Sequence, residues 1–101
     1  MSKSKESAED GSGPVFAGGN GRRPEDAVVI EDVGSHMAGI RAEKEYLSQL
    51  FGAEGIGWEL KRQALRQRDD GTRIDKITVE KGSGGTETVY FDVSNFFGMS
   101  A

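Results

Sequence analysis

The chain has 101 residues, no cysteine, a single histidine and a formal net charge of −4. That length fits one domain at most, the missing cysteine excludes disulfides, thiolate metal sites and cysteine nucleophiles, and the acidic balance disfavours a general nucleic-acid binder. No stretch reaches the ~18 apolar residues of a membrane span, and no apolar run follows the charged N-terminus as a secretory signal would require, so the expected compartment is the cytoplasm.

Residues 1–26 mix Ser, Lys, Glu, Asp, Gly and Pro, with Val15 and Phe16 the only sizeable apolar side chains. Such a composition does not bury enough surface to offset its conformational entropy. The expectation is a disordered tail over 1–26 and an α+β domain over 27–101. The glycines at 18, 19 and 21 suggest a phosphate loop, but Arg22-Arg23-Pro24 follows them where a helix is needed, and a linker is the simpler reading.

Ala27 to Val33 is β-branched and compact and reads as a strand. Gly34 breaks it and Ser35 is placed as an N-cap. Ile40, Leu47, Leu50 and Phe51 then recur at helical spacing, with Arg41, Glu45 and Gln49 on another face and Gly52 as a left-handed stop. The spacing predicts a helix over 37–51. The tetrapeptide Gly34-Ser35-His36-Met37 matches the remnant of a cleaved purification tag. The strand before it and the helix running out of it favour a natural stretch instead.

The segment 58–67 carries good helix formers, yet Trp58, Leu60 and Ala64 share strand parity. Asp69-Asp70-Gly71-Thr72 has hairpin-turn chemistry. Beyond it Ile77 and Val79 alternate with polar residues, a glycine-rich turn follows Lys81, and Val89, Phe91 and Val93 alternate again. Three strands joined by two turns make a meander, which decides for strand over 58–67. The expected architecture is β-α-β-β-β. One helix packs on one face of an antiparallel-rich sheet, its apolar stripe meeting Leu60, Ile77, Val79, Val89, Phe91 and Val93. The adjacent Phe96 and Phe97 are expected to fold back on the core or cover the sheet edge.

Catalytic chemistry finds little support. His36 stands alone, with no cysteine and no Gly-x-Ser-x-Gly elbow to serve as its nucleophile. One histidine without cysteine does not build a zinc site. Asp69, Asp70, Asp75 and Glu80 miss the spacing of a helix-loop-helix calcium loop. The chain is therefore expected to be neither an enzyme nor a carrier of metal or cofactor. Two function classes remain. The first is a non-catalytic protein-interaction or regulatory domain, homodimerisation included. Its candidate residues are Tyr90, Phe96 and Phe97, because Tyr90 has the wrong parity to join Val89, Phe91 and Val93 in the core. The alternative is a weak nucleic-acid-binding module using a basic stripe at 61–76. Trp58, Lys61, Arg62, Arg66, Arg68 and Arg73 are its candidate contacts, with Lys76 joining across the hairpin.

Overall fold

The computed structural model describes residues 13–98. Its elements are β1 (Val15–Gly18), a 3-10 turn (Pro24–Asp26), β2 (Val28–Glu31), α1 (His36–Phe51), β3 (Trp58–Gln67), β4 (Arg73–Lys81) and β5 (Thr86–Asp92). The five strands form one mixed sheet in the order β1-β2-β5-β4-β3. The chain is an α+β domain, with one α-helix among the described residues. Among the described residues, no helix is long and apolar enough to cross a membrane.

The three C-terminal strands form the expected meander. β3 pairs with β4 and β4 with β5, both antiparallel, with a bulge in β3 between Leu60 and Arg62. The hairpin after β3 turns on Gly71, which adopts φ 89°, while the Asp70 carboxylate accepts the Thr72 backbone N–H at 2.9 Å. Positive φ is cheap only for a residue without Cβ, and an Asx side chain closes the turn locally. β2 enters beside β5 in parallel, with Val28 opposite Phe91. It ends at Asp32, the one described non-glycine residue with positive φ.

Residues 13–26 correct the sequence reading of a tail. Val15–Gly18 pair antiparallel with β2, Phe16 opposite Ile30, and the Phe16 ring lies 5.1 Å from that of Tyr46 on α1. Residues 1–12 of the expected tail lie outside the described residues. The connection from β1 to β2 folds back over the sheet. Gly21 accepts the Tyr90 N–H at 2.8 Å, and Arg68, at the opposite edge, donates to the Pro24 carbonyl at 3.4 Å. It thus shelters part of the face that α1 leaves free. Ile74 is on that face by its register with Asp92, yet is only 2% exposed.

α1 starts on Ser35, whose Oγ accepts the Ala38 N–H at 3.1 Å, and stops at Gly52 with φ 102°. Ser35 and His36 therefore work within the fold, and β2 before them supplies Val28 and Ile30 to the core. Ala42 and Leu47 meet these two and Ile77, Val79, Val89, Phe91, Val93 and Phe96 in one apolar cluster. Two expected core contributors, Leu50 and Leu60, are instead about half exposed. The helix covers the sheet unevenly. It meets β3 at its first residue, where Trp58 Nε1 donates to Ser48 Oγ at 3.3 Å, and diverges from the strand beyond it. The divergence leaves the helix-facing side of β3 uncovered.

Candidate functional site

The wedge between the N-terminal half of α1 and the second half of β3 is a groove of about 300 Å³. His36, Ile40, Leu65, Val93 and Phe97 make its walls, and Glu43, Gln63 and Asp75 its floor. Register accounts for the lining. Leu65 lies opposite Asp75, and Gln63 opposite Ile77, so both follow the helix-facing side of β4. Toward Trp58 the groove narrows past Leu60 and Lys44. Leu60 is 50% and Leu65 45% exposed, two apolar side chains in line along one side of an edge strand.

The floor is an acid pair. Glu43 is 2% exposed and Asp75 5% exposed. Gln63 Nε2 donates to Asp75 Oδ2 at 2.6 Å. Glu43 Oε2 and Asp75 Oδ1 are buried without an N–H or O–H partner. Burial pushes the Glu43 carboxyl up to about 10, aided by hydrogen bonding to Asp75 and by that residue's charge. A buried carboxyl at that value keeps its proton at neutral pH, and a proton between the two groups satisfies both orphan oxygens. The arrangement joins α1, β4 and β3 through one hydrogen-bonded set.

β3 is the outer strand on this side of the sheet; the loop before it bridges its first residue, Gly55 N–H donating to the Trp58 carbonyl at 2.7 Å, and beyond Trp58 its outward backbone edge pairs with no other strand among the described residues. It is ten residues long. A long unpaired edge offers a ladder of N–H and C=O groups to a further strand.

The sequence-derived candidates fall in different places. Tyr90 faces away from α1, as expected, but is half-buried beside the 19–26 connection. Phe96 is a core residue packed against Gly39, and Phe97 is half-buried between His36 (ring centroids 5.4 Å apart) and Arg73, whose Cζ lies 4.9 Å over its ring. Tyr90 and the two phenylalanines therefore lie on opposite sides of the sheet and form no joint aromatic surface. The turn at 94–98 is what carries the phenylalanines to the helix side, fixed by Asn95 Nδ2 donating to the Ile30 carbonyl at 3.1 Å.

The basic stripe also divides. Trp58 is 1% exposed and engaged with Ser48, so its ring offers no stacking platform. Lys61 pairs with Glu80 at 3.8 Å, Arg68 reaches Pro24, and Arg73 sits on Phe97. Arg62 and Arg66 remain together, exposed on the face away from α1, on either side of Ala64 and near Lys76. His36 lies at the rim of the groove, and its Nδ1 accepts the Gly98 N–H at 3.4 Å.

The groove and its floor were missed from sequence, although a signal was present. Glu43 falls three residues after Ile40 and four before Leu47, and Asp75 shares parity with Ile77 and Val79. Each acid occupied an apolar position of its own element. Comparison of the chain with protein-family models, with curated proteins and with solved structures finds no match.

Proposed function

We propose that this chain is a non-catalytic protein-interaction domain whose contact element is the free edge of β3 together with the groove between β3 and α1. The observation that carries this reading is the coincidence of an edge that is unpaired beyond Trp58 among the described residues with the half-exposed Leu60 and Leu65 beside it. An extended segment laid along such an edge gains main-chain hydrogen bonds, and every second side chain enters the adjoining groove. A volume of about 300 Å³ takes one or two apolar side chains of such a segment.

Selection of linear peptides from a random display library tests the reading. Enriched peptides are expected to alternate apolar and polar residues. Leu65→Glu is expected to abolish their binding, whereas Leu50→Glu, at an equally exposed leucine on α1, leaves it intact. Circular dichroism verifies that both variants fold. Absence of enrichment, or peptides indifferent to Leu65→Glu, overturns the assignment.

A further inference from the structure

Resting on that reading, we infer that the segment that adds to β3 is acidic, with two carboxylates four residues apart on the side turned away from α1 and apolar residues on the side turned into the groove.

Charge on the strand carries the inference. Between residues 59 and 68 there are four basic side chains against Glu59 alone. Lys61 and Arg68 are occupied by Glu80 and the Pro24 carbonyl. Among the described residues, Arg62 and Arg66 make no ion pair. The register sets both on one face with Ala64 between them and Lys76 of β4 alongside Ala64. Residues four apart in a strand are separated by about 13 Å. An added strand thus faces this pair with its own residues four apart, and the residues between alternate toward Leu65 and the groove. The pattern is acid, apolar, any residue, apolar, acid.

The same charges oppose the in-register pairing of a second copy of this chain. Two β3 edges paired antiparallel about Ala64 set Arg62 of one against Arg66 of the other, and a parallel pairing sets like against like at every position. Directly opposed like charges destabilise a strand pair. Charged side chains also serve to keep edges unpaired. A purely defensive edge, however, has no use for two half-exposed leucines on its other side.

The probe is a capped synthetic peptide that alternates valine with polar residues and carries two glutamates four apart. Its twin carries lysine in place of both glutamates. Amide chemical shifts of the full chain are followed during titration at low and at physiological ionic strength. The acidic peptide is expected to move the β3 amides and to bind about tenfold more tightly than its twin, a factor that two favourable cross-strand charge pairs supply. The preference is expected to shrink with salt and to vanish in the Arg62→Ala/Arg66→Ala double variant, whose exposed substitutions leave the fold intact. Equal binding of both peptides at β3 overturns the charge assignment and leaves strand addition standing. Shifts confined to other elements, or no binding of either peptide, overturn the inference together with its basis. A concentration-dependent dimer of the free chain with shifts on β3 overturns it in favour of the second copy.

Discussion

Glu43 ties the stability of the domain to pH. Its carboxyl is held protonated in the fold, up to about 10 against 4.5 when exposed. The folded chain therefore keeps a proton that the unfolded chain releases as pH rises above 4.5, and stability is full below that value and declines toward about 10. The decline approaches about 1.4 kcal/mol per pH unit where one whole proton separates the two states. Denaturant unfolding at about pH 6 and about pH 9 is expected to show the loss in the wild type and a flatter profile in Glu43→Gln, whose amide still donates to Asp75 without titrating. Parallel profiles in the two proteins contradict the shared proton.

Gly39 illustrates the opposite kind of constraint. It sits on the buried face of α1, where an added Cβ collides with the Phe96 ring. Alanine gains about 1 kcal/mol over glycine in a helix, but overpacking a filled core costs about 1–3 kcal/mol. Gly39→Ala is expected to lower the unfolding midpoint, and an unchanged or higher midpoint shows that Phe96 moves aside freely.

Among the elements, legibility followed the strength of the local signal. α1 announced itself through Ser35, Gly52 and the spacing of Ile40 and Leu47, and the meander through its alternation and its two glycine turns. Leu47→Ala should cost roughly 2–5 kcal/mol in a denaturant titration, because Leu47 lies fully inside the cluster. β1 was illegible for a physical reason. Its four residues stand among glycine, serine and proline, and their order comes from pairing with β2, which composition does not encode. Phe16→Ala is accordingly expected to lower stability by about 1–3 kcal/mol, less than a fully buried phenylalanine would, a loss that a free tail would not show. The uneven cover that α1 gives the sheet was equally hidden. Leu60 and Leu50 carry core-like patterns, and only the packing of helix on sheet decides that they stay exposed. The groove exists because of that packing, so a strand-by-strand reading had no means to place it.

At the scale of the whole molecule, the parallel pair of β2 and β5 sets the order in which the structure is assembled. Val28 and Phe91 are partners although α1 and the whole β3–β4 hairpin lie between them. The contacts of β3 with β4 and of β4 with β5 close only short turns. Loop-closure entropy makes the distant pairing late and the local hairpins early. The meander is then a folding nucleus onto which α1 and the N-terminal strands condense. Val79→Ala is expected to slow refolding nearly in proportion to its loss of stability, while Ile30→Val mainly accelerates unfolding. The edge of β3 is consequently formed before the groove beside it, whose second wall is supplied only when α1 docks.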